Sequence, residues 1–184
     1  MMFQGLRLTG IGGRDYVLGD GIEVYDGESL IGRVQSVRLS PDGAEVLIEN
    51  FIQMRFEDFR VGALPRLVLA EVVNFIVERH PGIHLVGIEL SRHIPEFQGR
   101  EALLTSIRSE ILASIGAQDV HVTPRPQAGE KGSFAVTGIW RYDSASVAVL
   151  AATLRTQREA YGAIRNAPPA NARRRLARLL PGKT

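Results

Sequence analysis

The sequence predicts an α+β fold with a mixed sheet: a three-stranded antiparallel meander, then helix, strand, helix and two strands, and finally a C-terminal helix. Two observations lead to this prediction. Hairpin-type turns separate runs of alternating apolar and polar residues in the first third of the chain. Beyond them, longer segments with the helical period of apolar residues alternate with short segments rich in β-branched residues. We expect residues 1–166 to form this α+β domain and residues 167–184 to form a basic tail or a short helix.

Four segments at the start of the chain are predicted strands: residues 3–9, 16–25, 29–39 and 44–56. The last three form the meander, because turn signals separate them. Asp26 and Gly27 make a two-residue hairpin signal. Pro41 and Gly43 stand where a turn between the next two strands prefers proline and glycine.

Three later segments are predicted helices: residues 65–79, 100–115 and 144–165. Strands are predicted over residues 83–90, 119–123 and 133–141. Pro65 suits the first position of the first helix, since its missing amide has no partner there. Gly116 is a typical residue to end the second helix, and Asp143 is a typical N-cap for the third.

The first two helices differ in how much apolar surface they carry. In the first, the polar residues form only a narrow stripe, Glu71, Asn74 and Glu78. A helix this apolar is expected to be covered on more than one side. The second is amphipathic, and its predicted core face consists of Leu103, Ile107, Ile111 and Ile115.

Composition excludes several classes of protein. The chain of 184 residues is 45% apolar and 23% charged, which is ordinary for a soluble globular domain. There is no cysteine, which excludes disulfides, thiol nucleophiles and cysteine-ligated metals and favours a cytoplasmic location. No apolar run reaches the roughly 18 residues that a membrane-spanning helix requires.

The basic side chains are concentrated at the C-terminus. Residues 155–184 carry eight basic side chains and one acidic one, whereas the rest of the chain is acidic overall. Four arginines could contact nucleic-acid phosphates: Arg173, Arg174, Arg175 and Arg178. Few aromatic residues accompany them, so packing on the chain's own acidic body or on a second copy is the favoured interpretation. We therefore expect a protein partner or self-association, with nucleic acid as the alternative.

The order of elements from residue 16 to 141, together with the segment Phe59 to Val73 at the entry of the first helix, resembles the GNAT-type N-acetyltransferases. The resemblance implies a loop before this helix that holds the pyrophosphate of acetyl-CoA, with Arg60 opening it, Ala63 at the first of its two small positions and Gly62 one place before that position. It also implies a general base on the preceding strand, for which Glu49 is the candidate. Glu49 lies on the polar face of that strand and could take a proton from an amine through a water molecule.

Two residues point away from catalysis. Pro65 stands at a position of the pyrophosphate loop where the family has glycine or alanine, and it lacks an amide donor. Leu112 stands four residues before Gly116, where the family often has the tyrosine that acts as general acid. The sequence therefore favours a binding or assembly module without a cofactor, and an acyl-CoA-dependent N-acyltransferase is the alternative. In the family, two parallel strands separate beside this helix to admit the pantetheine, and a closed sheet there would exclude the enzyme.

Other chemical sites are not supported. Gly10, Gly12 and Gly13 follow a strand but precede no helix, which predicts a strand connection rather than a dinucleotide loop. No acidic residue accompanies the four histidines at ligand spacing, so no metal site is predicted: His80, His84, His93 and His121. No serine-hydrolase or Walker motif is present.

Overall fold

The computed structural model describes residues 5–53, 63–92, 94, 97–125 and 131–166, and for residues 50–53, 63, 92 and 131–133 it describes the backbone alone. The strands are β1 (Arg7–Gly10), β2 (Ile22–Asp26), β3 (Ser29–Leu39), β4 (Glu45–Gln53), β5 (Leu85–Arg92), β6 (Gln118–Pro124) and β7 (Lys131–Arg141). The helices are α1 (Ala63–Arg79), α2 (Glu101–Ser114) and α3 (Ser144–Arg165). The strands form one sheet in the order β1-β2-β3-β4-β5-β7-β6.

The predicted α+β fold and its order of elements are confirmed. Strands β2, β3 and β4 form an antiparallel meander, and β5, β7 and β6 pair antiparallel to one another. The parallel pair of β4 and β5 joins the two halves of the sheet. Helix α3 has its predicted bounds, and Asp143 caps it by accepting a 2.8 Å hydrogen bond from the Ser146 amide. Helix α1 begins two residues earlier than predicted, so Pro65 is its third residue.

The core lies on one face of the sheet. Alternate residues of β4 and β5 are buried there, among them Val46, Ile48, Val86 and Ile88. The three helices cover this face and contact one another. Gly138 of β7 admits α2 closely, since an added Cβ would come within 3.1 Å of Leu112 Cδ1. We call the opposite face the outer face; among the described residues no helix covers it.

Helix α1 is covered by α3 as well as by the sheet, which explains its apolar composition. The narrow polar stripe is part of this contact. Glu71 is 5% exposed and binds Arg158 of α3 through two parallel hydrogen bonds, 2.7 Å from Nε to Oε1 and 2.8 Å from Nη2 to Oε2. At the end of α3, Arg165 lies 3.2 Å from Asp26. These two arginines thus attach the C-terminal helix to the acidic part of the chain.

The prediction of the core face of α2 was wrong at its first residue, where Leu104 is buried in place of Leu103. Leu103 is 48% exposed, whereas Leu104, Arg108, Ile111 and Leu112 are buried. The apolar pair Leu103-Leu104 leaves the helix phase ambiguous, and the packing of Leu112 on Gly138 decides it. Burial lowers the pKa of Arg108 to about 10.

The glycine run forms a strand connection, as predicted. Strand β1 ends at Gly10, and a short 3-10 turn follows in which Gly12 has a φ of 73°. The Gly12 amide donates a 2.9 Å hydrogen bond to Glu23, which is buried and also accepts from Tyr25 and Arg33. Burial acts to raise the pKa of Glu23, but the bonds from Tyr25, Arg33 and Gly12 together leave that pKa below its usual value.

We expect Arg158→Ala to lower the free energy of unfolding by about 2 kcal/mol, because it leaves the buried Glu71 carboxylate without its partner. Arg155→Ala is the matched control: Arg155 lies one turn earlier on α3, is exposed and forms no ion pair with a described residue. Its cost should be within about 0.5 kcal/mol. Urea unfolding measures both, and equal costs would contradict the structural role of the pair.

Glu23 predicts a specific pH dependence of stability. Because its folded pKa is depressed, its contribution is complete above the unfolded value of about 4.5 and is lost as the pH falls from there through the folded pKa. Glu23→Gln should therefore reduce stability at pH 7 and flatten the decline below pH 4.5. Glu28→Gln, at an exposed turn position, controls for the loss of one negative charge. An acid profile for Glu23→Gln with the original slope would refute this account.

Candidate functional site

Strands β4 and β5 separate halfway along their length. They pair over only four positions, from Glu45 with Leu85 to Ile48 with Ile88. Beyond Ile48, β4 continues to Gln53 and pairs only with β3, while β5 continues past Ile88 and pairs only with β7. Among the described residues no ladder pair joins the two strands past this point. A gap therefore opens in the sheet toward the C-terminal ends of both strands.

Helix α1 begins at the same end of the sheet as the gap. It connects the parallel strands β4 and β5, so its N-terminus follows the C-terminal end of β4. The first amides of a helix have no partner within the helix and attract anions. Pro65 removes one of these donors, and Arg66 extends toward α2, where it lies 3.2 Å from Glu110. The first turn of α1 thus has fewer backbone donors for an anion than a first turn without proline would have.

Two carboxylates flank the start of the gap on the outer face. Glu49 and Glu89 directly follow the last paired residues of β4 and β5, Ile48 and Ile88. Each side chain is largely covered, 15% exposed for Glu49 and 14% for Glu89. Since both face away from the core, the two carboxylates lie on the same side of the sheet.

An arginine holds each of these carboxylates. Arg38 of β3 donates to both oxygens of Glu49, with 2.6 Å between Nε and Oε2. The hydrogen bonds to Glu49 raise the pKa of Arg38. On the other side, Arg125 donates through Nη2 to Glu89 Oε2 at 2.6 Å, and Ser91 donates to Oε1 at 2.9 Å. We call Arg38, Glu49, Glu89 and Arg125 the charged quartet.

An open depression of about 830 Å³ extends from the quartet along the outer face, in the size range of small-molecule sites. We call it the outer groove. Arg38 and Glu89 line it next to the gap, and its floor is apolar: Leu47, Leu85, Gly87 and Ile139. Gly87 keeps this floor flat, because an added Cβ would come within 3.1 Å of Leu47 Cδ1.

A second depression of about 880 Å³ lies between α1 and α3, with the buried Trp140 at its base. Trp140 pairs with Val86 near the start of β5. The depression is therefore on the core face and at the opposite end of the β4–β5 pair from the gap. It contributes nothing to the geometry at the charged quartet.

The predicted site residues are distributed as follows. Glu49 lies beside the gap and is held by Arg38. Ala63 is the first residue of α1, while Arg60 and Gly62 lie outside the described residues. Leu112, at the position of the expected tyrosine, is wholly buried in the core. The tail arginines Arg173, Arg174, Arg175 and Arg178 also lie outside the described residues, so the tail-binding hypothesis stays a prediction.

Sequence reasoning missed Glu89, Ser91 and Arg125. The one signal for Glu89 was its position as the only acidic residue in a mostly apolar predicted strand. The histidines form no metal site within the described part of the chain: no group of three ligand-type side chains occurs there, and His84 lies 3.9 Å from Glu45. None of the described helices is both long and apolar enough to cross a membrane.

Solved structures similar to this chain are acetyltransferases. A probable acetyltransferase from Staphylococcus epidermidis matches 67% of this chain and 68% of its own, with 12% identity and a TM-score of 0.44. The ribosomal-protein-S18-alanine N-acetyltransferase from Escherichia coli matches 68% of this chain and 70% of its own, with 12% identity and a TM-score of 0.44. A Bacillus subtilis acetyltransferase in complex with CoA matches 68% and 78%, with 11% identity and a TM-score of 0.41.

No protein-family model and no curated protein matches the sequence. The structural likeness concerns the fold alone. The meander, the parallel pair that separates and the following α-β-β segment are the arrangement that the sequence resemblance implied. The order of elements and the strand pairing that the resemblance implied are therefore confirmed for this chain.

Proposed function

We propose that this chain transfers an acyl group from a CoA thioester to an amine. The observation that carries the proposal is the separation of β4 and β5 after Ile48 and Ile88. A continuous sheet at this point would have argued for a binding module without chemistry. The open gap supports the acyltransferase instead, and a cytoplasmic location remains part of the proposal.

The donor's extended pantetheine would occupy the gap. The facing edges of β4 and β5 carry backbone amides and carbonyls that are not used in pairing between the two strands. An extended molecule with amide groups can bond to such edges as an added strand does. The pyrophosphate would then reach the start of α1, where Ala63 provides a backbone amide and Arg60 and Gly62 complete the proposed loop. Because Pro65 lacks an amide, this end should bind less tightly than a full set of donors.

The reaction requires that an ammonium group lose a proton before its nitrogen attacks. The thioester supplies an activated acyl carbon. The amine nitrogen forms a bond to that carbon, and the bond from carbon to sulfur breaks. CoA takes up one of the two protons that the ammonium group gives up and leaves as the thiol. The amine's other proton leaves through Glu49 and water to the solvent. The products are an amide, free CoA and one proton.

Glu49 suits the role of proton acceptor because of where and how it is held. It stands at the start of the gap, next to the position at which the acyl carbon would lie. The two hydrogen bonds from Arg38 fix the orientation of its carboxylate. Each carboxylate oxygen retains a further lone pair for a water or an ammonium group.

We expect acetyl-CoA to bind with a dissociation constant between about 1 μM and 1 mM, as measured by isothermal titration calorimetry. Adenosine 3′-phosphate 5′-diphosphate, which keeps the pyrophosphate of CoA and lacks the pantetheine, is the matched probe. It should bind at least about tenfold more weakly, because the gap contributes nothing to its affinity. No heat with acetyl-CoA at about 1 mM would refute the proposed function.

Glu49→Gln should lower kcat by about 100-fold while the dissociation constant of acetyl-CoA stays the same, because it removes only the proton acceptor. Glu45→Gln is the control, since Glu45 lies on the same face of β4 four residues earlier and is half exposed. Release of the CoA thiol, in the presence of a mixture of amino acids and their decarboxylated amines, measures turnover. Unchanged turnover in Glu49→Gln would exclude Glu49 as the base.

A further inference from the structure

We infer that the charged quartet and the outer groove select an acceptor that carries a carboxylate close to its amine and an apolar body, that is, an amino-acid-like molecule. This inference rests on the proposed function and adds the class of acceptor. It depends on three features: the order of charges in the quartet, the hydrogen-bonding capacity that its members retain, and the apolar floor of the groove.

The order of charges fits a zwitterion better than a simple cation. Across the sheet, the charged groups lie in the spatial order Arg38, Glu49, Glu89 and Arg125. The two carboxylates are at the centre, and the gap lies between them. Two positive and two negative groups cancel, so the quartet offers no net attraction to a polyamine. An ammonium group between the glutamates and a carboxylate at one flanking arginine would instead satisfy both signs.

Among the described residues, two other acidic side chains line the outer groove, Glu45 and Asp119. Asp119 lies 3.7 Å from Arg141. Glu45 lies 3.9 Å from His84, which compensates its charge only when the imidazole is protonated. A polycation would therefore find few acidic groups here beyond the quartet, of which Arg38 and Glu89 line the groove.

Each member of the quartet retains groups that could bind the acceptor. A guanidinium has five N–H donors. Arg125 uses only Nη2 on Glu89, and Arg38 uses Nε and Nη2 on Glu49. Among the described residues, nothing accepts from Nη1 of either arginine. Ser91 and Arg125 occupy one position on each oxygen of Glu89, which leaves further lone pairs for an ammonium group.

The groove determines where the rest of the acceptor would lie. With its amine at Glu49 and Glu89, the acceptor would extend away from the gap over Leu47, Leu85 and Ile139. This floor is apolar, and Gly87 leaves room above it. An aromatic or branched aliphatic side chain would bury its surface there, whereas a charged side chain would not.

The test uses two probes that differ only by a carboxylate, L-phenylalanine and phenethylamine, with acetyl-CoA as the donor. We expect kcat/KM to be about 10- to 100-fold higher for L-phenylalanine, the range for a hydrogen bond to a charged group. Arg125→Gln should raise KM for L-phenylalanine by a similar factor, so that the preference for L-phenylalanine over phenethylamine is lost. Arg125→Lys should restore part of the loss.

Arg141→Gln is the control, because Arg141 lies on the same face but pairs with Asp119 away from the quartet. It should change neither KM. Equal use of the two probes, use of neither by a protein that binds acetyl-CoA, or an equal loss for both probes in Arg125→Gln would overturn the inference and leave the proposed function intact. Failure to bind acetyl-CoA would instead refute the proposed function, and with it this inference.

Discussion

The short parallel pairing of β4 with β5 is the constraint on which the rest of the site depends. Parallel neighbours need a crossover, and here α1 provides it. Because the ladder stops at Ile48 and Ile88, the crossover spans a sheet that is joined at one end and open at the other. The early end of this ladder produces the gap and leaves Glu49 and Glu89 as the first outer-face side chains beyond the joined region.

The described helices cover the sheet on one face only, which explains why charged side chains can cluster on the other face. Helices α1, α2 and α3 share the core face, and the buried bond between Glu71 and Arg158 fixes α3 on α1. The C-terminal helix is therefore committed to the core face. The outer face of β4 and β5 is left for charged side chains, each of which has an oppositely charged neighbour that lowers the cost of its partial burial.

The fold was more predictable than the site, for a physical reason. Element type follows from periods of two and 3.6 residues, which are local, and the bounds of α3 could be predicted because Asp143 marks its start. The phase of α2 could not, because Leu103 and Leu104 are both apolar and only contact with Gly138 distinguishes them. The gap and the partners of Glu89 depend on registers between segments far apart in sequence. No local pattern records that Arg125 reaches Glu89 or that the β4–β5 ladder ends after four pairs.

The way Glu49 is held has a consequence for how an acceptor would be aligned. Arg38 binds both of its oxygens and fixes the orientation of the carboxylate. A proton acceptor held in one orientation contributes to the rate through its position, because less alignment is needed at the moment of reaction. An acceptor whose ammonium group lies between Glu49 and Glu89, with its carboxylate fixed at an arginine, would gain from the same effect, since both reacting groups would then be held in place.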